Sequence, residues 1–108
     1  MEICTVAFLT STHSPFDDRI FYHQAKALAP KFKVVIISGA ENIRTTTDNI
    51  YVVSDDTHGA DKKMKVEFFK QSLLQFNPEL IICSEPLPII AALKYRKAVQ
   101  RKVKIIYD

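Results

Sequence analysis

Five short runs of apolar residues divide the chain, and each of them predicts a β-strand. Within each run, hydrophobic side chains occupy successive positions instead of alternating with polar ones, so both faces of the sheet are expected to be buried. This pattern is typical of a parallel sheet that is covered by helices on both sides. The predicted strands cover residues 3–9, 34–37, 50–53, 80–83 and 103–107.

Three of the segments between these runs carry apolar residues at helical spacing. The first helix is predicted to begin at Asp17, whose side chain can accept hydrogen bonds from free backbone N–H groups, and to end before Pro30. Residues 40–49 and 54–61 are polar and are predicted to be loops. The predicted helices cover residues 17–29, 62–76 and 86–101, with inward side chains at Ile20, Phe21, Ala25, Leu28, Val66, Phe69, Leu73, Phe76, Ile89, Ala92 and Leu93.

The succession of strands and helices predicts an α/β fold, a Rossmann-like parallel sheet with helices on both faces. Right-handed crossovers favour the strand order 3-2-1-4-5, counted along the chain. Ligands of such sheets bind beyond the carboxyl ends of the strands, where the winding direction reverses. Here that crevice lies between the first and fourth strands. The loops of residues 10–17 and 84–88 are therefore the predicted site.

The length of 108 residues favours one domain, residues 1–108, with a core that needs no disulfides or metals. Apolar residues make up 47% and charged residues 25% of the chain, which excludes a disordered protein. No apolar run approaches the roughly 20 residues needed to cross a bilayer. The amino-terminal residues lack a cationic segment followed by an apolar one, so a cytoplasmic location is predicted.

Basic residues outnumber acidic ones by 15 to 12, and the net charge of +3 favours anionic partners such as phosphorylated ligands or an acidic lipid surface. An ordinary solvated surface explains the same surplus. The lysines are scattered without an aromatic platform, so no nucleic-acid partner is predicted. Gly39 and Gly59 do not form a phosphate-binding loop, which argues against P-loop nucleotidases and dinucleotide oxidoreductases. No cysteine and histidine spacing fits a zinc site.

The first site loop contains the densest group of candidate ligand-binding side chains. His13, Asp17 and Arg19 place an imidazole, a carboxylate and a guanidinium at the start of a helix, where they can bind a hydroxylated or phosphorylated ligand. The alternative is purely structural. In that case Asp17 caps the helix, Arg19 pairs with a nearby carboxylate and His13 is simply exposed.

The second site loop contributes Ser84 and Glu85, next to a predicted helix start. Glu85 is either a ligand-binding carboxylate or only a favourable negative charge at the helix N-terminus. Asp55 and Asp56 follow the third strand, as the acidic site of a phosphoacceptor receiver domain does. The first strand, however, lacks the acidic pair that such a domain needs to bind magnesium, so a receiver domain is not predicted.

The run from His13 to Phe21 resembles the amino-terminal domain of family 4 glycosyltransferases, which have the GT-B fold. The shared pattern is His-x-x-x-Asp-x-Arg-Ile-Phe, and residues 26–29 match the family's helix end. Residues 78–85 and 104–108 are similar to two further strand motifs of the family. The resemblance therefore extends over the whole chain.

This resemblance implies that the complete protein transfers a sugar from a nucleotide-sugar donor to a glycan, lipid-linked or small-molecule acceptor, without a metal or other cofactor. Residues 1–108 would be the acceptor-side half of the GT-B fold, incomplete at its carboxyl-terminal end. The donor would bind mainly to a missing carboxyl-terminal domain, so the fragment alone is expected to be inactive. Cys83, Ser84 and Glu85 stand where family members often have histidines.

Two further expectations follow from the short length of the chain. A sheet cut off in this way would expose a face or an edge, through which the fragment would self-associate. The alternative function is that of a stand-alone α/β binding or interaction module without catalysis.

Overall fold

The computed structural model describes residues 4–108, which form one sheet with helices on both faces. Among these residues, none of the helices combines the length and the hydrophobicity of a membrane span. The order of strands in the sheet is β3-β4-β2-β1-β5-β6, and only β3 runs antiparallel to its neighbour. The elements are β1 (Thr5–Thr10), α1 (the consecutive segments Asp18–Ala25 and Lys26–Leu28), β2 (Lys33–Ser38), β3 (Ile43–Thr47), β4 (Ile50–Ser54), α2 (Lys62–Phe76), β5 (Leu80–Cys83), α3 (Pro86–Val99) and β6 (Lys104–Tyr107).

The predicted strand order is confirmed, because the five predicted strands correspond to β4-β2-β1-β5-β6 in the sheet. The three predicted helices are also present, and α2 has the predicted bounds. Residue 3, the predicted start of the first strand, lies outside the described residues. The sheet has one strand more than predicted, at the edge next to β4.

That additional strand, β3, corrects the prediction that residues 40–49 form a loop. It pairs with β4 in an antiparallel hairpin whose turn residues, Asp48 and Asn49, have positive φ values of 51° and 63°. Two successive left-handed residues match the twist of a tight hairpin. The side chains of Thr45 and Thr46 are exposed on this edge strand. Because its middle residues are polar, β3 has no hydrophobic pattern, and the prediction was wrong for that reason.

Two apolar cores, one on each face of the sheet, account for the unbroken hydrophobic runs. Side chains alternate along a strand, so successive residues of β1 and β2 enter opposite cores. α2 and α3 cover one face, with core residues that include Ala7, Leu9, Val35, Ile37, Phe69, Leu73, Ile81 and Tyr95. α1 covers the other face, with core residues that include Val6, Phe8, Ile20, Phe21, Val34, Ile36 and Val52.

The inward face of α3 differs from the predicted one. Leu93, predicted to face inward, is 45% exposed, whereas Tyr95 is fully buried. The prediction was wrong at Leu93 because the helical spacing of apolar residues did not define which face of α3 turns inward. Tyr95 tolerates the core because its hydroxyl donates a hydrogen bond to the carbonyl oxygen of Pro78 at 3.0 Å. Its large ring thereby joins α3 to the segment that leads into β5.

α1 begins as predicted, with Asp17 as its cap. The Oδ1 atom of Asp17 accepts from the backbone N–H groups of Arg19 at 3.0 Å and Ile20 at 3.3 Å. The helix is then wound more widely than an α-helix, and the N–H of Lys26 donates to the carbonyl oxygen of Phe21, five residues earlier. Such π-helical winding is rare in proteins, and where it occurs it often lies at a functional site. Here it directly follows the first predicted site loop.

Cys83, at the end of β5, gives the fold a testable dependence on alkaline pH. Burial, reinforced by the nearby Glu85 charge, raises the pKa of its thiol from 9.0 to about 12. The unfolded chain therefore loses this proton first as the pH rises. The stability contributed by the protonated thiol is complete below pH 9.0 and is lost between pH 9.0 and about 12.

We expect the free energy of unfolding of the wild-type chain to decrease above pH 9.0 by up to about 1.4 kcal/mol per pH unit from this group. Urea unfolding of the wild type and of Cys83→Ala over a series of pH values measures it. The stability advantage of the wild type should shrink as the solution becomes alkaline. An advantage that stays constant across that range would contradict the burial of an uncharged thiol.

Candidate functional site

The carboxyl ends of β1, β2 and β5 lie side by side, as the strand order requires. Backbone hydrogen bonds join them just beyond the sheet. The N–H of Gly39 donates to the carbonyl oxygen of Thr10 at 3.0 Å, and the N–H of Ser84 donates to that of Leu9 at 3.1 Å. The loops that follow β1 and β5 therefore begin next to each other, and the two predicted site loops meet.

Glu85 ties these two loops together through its carboxylate. It occupies the residue before α3, but its side chain does not cap that helix. Instead, the carboxylate accepts hydrogen bonds from the Thr10 hydroxyl at 2.9 and 3.1 Å, from the Ser11 N–H at 2.6 Å and from the Ser11 hydroxyl at 3.0 Å. Hydrogen bonds to a charged acceptor are the stronger kind. Glu85 is therefore a positioning residue for the loop after β1, and more than a charge at a helix end.

His13 is fixed by its backbone, and its ring is exposed at the carboxyl edge of the sheet. Its N–H donates to the Thr10 hydroxyl at 3.0 Å, and its carbonyl oxygen accepts from the Ser38 hydroxyl at 2.8 Å. The imidazole lies between two carboxylates, with Nδ1 3.7 Å from Asp17 Oδ2 and Nε2 3.5 Å from Glu85 Oε2. The side chain is 46% exposed, so a ligand can reach it. The structure thus brings His13, Asp17 and Glu85 together.

Asp17 serves two neighbours with its two carboxylate oxygens. One oxygen caps α1 and the other faces His13, so a single side chain fixes both the helix start and the imidazole. Arg19 is exposed, and among residues 4–108 its guanidinium forms no ion pair within 4.0 Å. Of the structural alternative, the capping by Asp17 and the exposure of His13 are confirmed, whereas no carboxylate of residues 4–108 pairs with Arg19. Ser84 is half-buried beside Glu85 and holds β1 through its backbone.

The residues that hold the loops in place were missed by the sequence analysis. Thr10, Ser38 and Ser54 each end a strand, and all three are fully buried despite their hydroxyl groups. Thr10 and Ser38 hold His13, while the Ser54 hydroxyl accepts from the N–H of Glu41 at 3.3 Å. Buried polar side chains need partners, and here the loops supply them. A hydroxyl residue directly after an apolar run is the sequence feature that could have revealed them.

Carboxylates dominate the charge at this edge of the sheet. Besides Asp17 and Glu85, the loops after β2 and β4 contribute Glu41, Asp55 and Asp56. Asp55 is paired with Arg44 at 2.8 Å, and Glu41 accepts from the Ser14 hydroxyl at 2.6 Å. No three side chains of His, Cys, Asp or Glu in the described part of the chain are grouped so that they could hold a metal ion. The edge is thus suited to hydroxyl groups more than to phosphates.

The comparison with known proteins rests on the fold. No family model and no curated protein matches this sequence. The structure is similar to that of the lipopolysaccharide outer core galactosyltransferase WaaB in its apo form, with a TM-score of 0.65 and 16% sequence identity. The match covers 95% of this chain and 32% of that one, so the chain spans about a third of the galactosyltransferase's length. The likeness shows that the chain has the Rossmann-like α/β fold of one half of a GT-B glycosyltransferase.

Proposed function

We propose that the chain is the amino-terminal, acceptor-side domain of a glycosyltransferase of family 4, and that a donor-binding domain follows it in the complete protein. That protein would transfer a sugar from a nucleotide-sugar donor to a glycan, lipid-linked or small-molecule acceptor. The observation that carries the proposal is the position of His13 between Asp17 and Glu85 where the β1 and β5 loops meet. The fold similarity over 95% of the chain supports it.

The charges at this edge explain why a second domain is needed. Sugar transfer from a nucleotide sugar leaves negative charge on the departing diphosphate, which fixed donors in a closed cleft must stabilise. The carboxylates of Asp17, Asp56 and Glu85 would repel a diphosphate instead. The donor diphosphate therefore belongs on the following domain, and residues 1–108 alone are expected to have no turnover.

The side chains divide into those that touch the ligand and those that position others. His13 and Arg19, both exposed, are the groups that contact a ligand across the cleft. Asp17 orients His13, and Glu85 holds the loop on which His13 stands. Ser84, which is half-buried beside Glu85, is the remaining candidate for contact with the substrate.

Substituting His13 or Arg19 by alanine in the complete protein is expected to lower kcat/KM roughly 10- to 100-fold. A hydrogen bond to a charged group contributes about 1.5–3 kcal/mol, which is a change in rate of that order. Steady-state kinetics with a nucleotide-sugar donor measures the effect. Thermal unfolding of the same variants should be nearly unchanged, because both side chains are exposed.

His23→Ala is the matched control, because His23 is an exposed histidine of α1 whose one charged neighbour among residues 4–108 is Asp18, at 3.7 Å. Its kcat/KM should stay within about twofold of the wild type. If His13→Ala is as active as His23→Ala, then His13 does not contact the ligand. If the complete wild-type protein transfers no sugar at all, the proposed function is wrong.

The second candidate function is a binding module without catalysis, and the hydrogen bonding of Glu85 favours it. That carboxylate is fully engaged by Thr10 and Ser11, as a purely structural residue would be. Calorimetry of the 108-residue chain with nucleoside diphosphates separates the two functions. Micromolar binding would contradict the assignment of the donor to a following domain and would support a nucleotide-binding module.

A further inference from the structure

A cavity lies at the same edge of the sheet as His13 and Glu85, beside the loop after β1. It has a volume of about 220 Å³ and is lined by residues of the loops that follow β1, β2 and β4 and by Lys65 at the start of α2. Its polar lining includes Ser11, Thr12, Asp56, His58 and Lys65. None of the interactions that hold His13 between Asp17 and Glu85 uses the last three of these side chains.

The floor of this cavity is packed backbone. The carbonyl oxygen of Gly39 accepts from both the N–H and the hydroxyl of Thr57, at 2.9 and 3.0 Å. A Cβ atom at Gly39 would lie 2.6 Å from the Thr57 hydroxyl oxygen and 3.2 Å from the carbonyl oxygen of Ser11. Only glycine therefore lets the three loops approach this closely. The cavity has a fixed base, which a small ligand needs if it is to bind without rearranging the loops.

The walls of the cavity carry both a hydrogen-bond acceptor, the Asp56 carboxylate, and a donor, the Lys65 ammonium. Two hydrogen bonds from backbone N–H groups hold the Asp56 loop. The N–H of Asp56 donates to Asn42 Oδ1 at 2.9 Å, and the N–H of His58 donates to Asp56 Oδ1 at 2.9 Å. Within residues 4–108 the second oxygen of Asp56 accepts no hydrogen bond. Lys65 is half-buried and forms no ion pair within 4.0 Å in the same range. One carboxylate with a free oxygen and one ammonium without an ion-pair partner in this range thus line a common space.

The size and the charge balance of the cavity point to one class of ligand. At 220 Å³ it is smaller than the roughly 300–1,000 Å³ of a drug-sized pocket. A single sugar ring is of a suitable size. Hydroxyl groups of a sugar donate to a carboxylate and accept from an ammonium, so Asp56 and Lys65 can both be satisfied. A phosphate could accept hydrogen bonds from Lys65 but would be repelled by Asp56.

We propose that this cavity is a binding site for one neutral, polyhydroxylated ring, held by Asp56 and Lys65 with His58 and Thr12 at the rim. Its assignment as the place of the acceptor sugar rests on the proposed function. The binding of a sugar ring to the 108-residue chain does not.

The test is a titration of the 108-residue chain with neutral methyl glycosides, followed by two-dimensional amide NMR. We expect shifts at the N–H groups of Ser11, Gly39 and Lys65, with dissociation constants on the order of millimolar for so small a ligand. Asp56→Asn and Lys65→Met should each weaken binding about tenfold, because each removes a charged hydrogen-bonding partner.

Two neighbouring substitutions serve as matched controls. Asp55→Asn removes the adjacent carboxylate, which faces Arg44, and Lys62→Met removes an exposed lysine one turn earlier in α2. Both should bind the glycoside as the wild type does. Equal weakening in the controls, shifts confined to other parts of the chain, or binding of inorganic phosphate without binding of the glycosides would each overturn the proposal.

The acceptor assignment is tested separately in the complete protein. There Asp56→Asn should raise the KM for the acceptor about tenfold and leave the KM for the nucleotide sugar unchanged. An unchanged acceptor KM in an active enzyme would refute the acceptor assignment while leaving the proposed function intact. A complete protein without any transferase activity would refute the proposed function, whatever sugar the isolated chain binds.

Discussion

Replacing Tyr95 by alanine is expected to lower the free energy of unfolding by about 3–5 kcal/mol, the largest effect of any substitution considered for this chain. The ring is fully buried between α3 and the sheet, so its removal leaves a cavity that the surrounding residues cannot fill. The substitution also removes the donor to the carbonyl oxygen of Pro78 and the acceptor for Arg101, which lie 3.0 and 3.1 Å from the hydroxyl. Chemical denaturation of the two proteins measures the loss.

Tyr95→Phe separates the two contributions, because it keeps the ring and removes only the hydroxyl. It should cost about 1–3 kcal/mol, since the buried carbonyl oxygen of Pro78 loses its donor. Tyr107→Ala is the control, because Tyr107 is 60% exposed on the edge strand β6, and its effect should be about 0.5 kcal/mol or less. If Tyr95→Ala were no more harmful than Tyr107→Ala, the packing of α3 described above would be incorrect.

Replacing Glu85 by alanine is the second large effect, and it reaches both stability and the site. The substitution removes the acceptor for the Thr10 hydroxyl and for two groups of Ser11, and Thr10 is fully buried. We expect a loss of about 3 kcal/mol in the free energy of unfolding, the upper range for bonds to a charged group. The loop that carries His13 should also open more often, because its bridge to β5 is gone.

Amide hydrogen exchange distinguishes this positioning role from a general loss of stability. In Glu85→Ala the N–H of Ser11 should lose its protection well beyond the change in global stability, whereas the N–H groups of α2 should follow the global change only. Glu67→Ala is the control, because Glu67 is exposed on α2 and its carboxylate accepts a hydrogen bond from the Gln71 side chain at 2.8 Å. Protection of Ser11 that tracks α2 in every variant would mean that Glu85 does not hold the loop.

The pattern of apolar residues predicted most of the sheet because burial on both faces leaves a direct trace in the sequence. Each parallel strand needs a continuous hydrophobic run, and each crossover helix needs an apolar stripe. β3 was not predicted because an exposed edge strand needs no continuous hydrophobic run. Its one local trace is the Asp48–Asn49 pair, whose residues tolerate the left-handed conformation that the turn requires. Leu93 was wrongly predicted to face inward, and the burial of Tyr95 was not predicted. A helical pattern defines the spacing of an apolar stripe more firmly than the exact face of the helix on which it lies.

The candidate site was only partly predictable, for a different reason. The rule that ligands bind where the winding direction reverses predicted that the loops of His13 and Glu85 lie together. In the structure, His13 Nε2 lies 3.5 Å from Glu85 Oε2. The rule says nothing of hydrogen bonds between residues 74 or 75 positions apart, such as those from Ser11 and Thr10 to Glu85. It also says nothing of the cavity beside Asp56 and Lys65, because that cavity depends on how closely three loops pack on Gly39.

By itself, the sequence determined the three helices, five of the six strands and their parallel order, and it predicted the edge of the sheet at which ligands would bind. These follow from local hydrophobicity and from the handedness of crossovers, which act along the chain. Only the tertiary structure decided that Glu85 bridges two loops instead of capping α3, that Tyr95 enters the core, and that a β-hairpin extends the sheet. Those outcomes depend on which polar groups find partners once distant segments are packed together, and no local pattern records that.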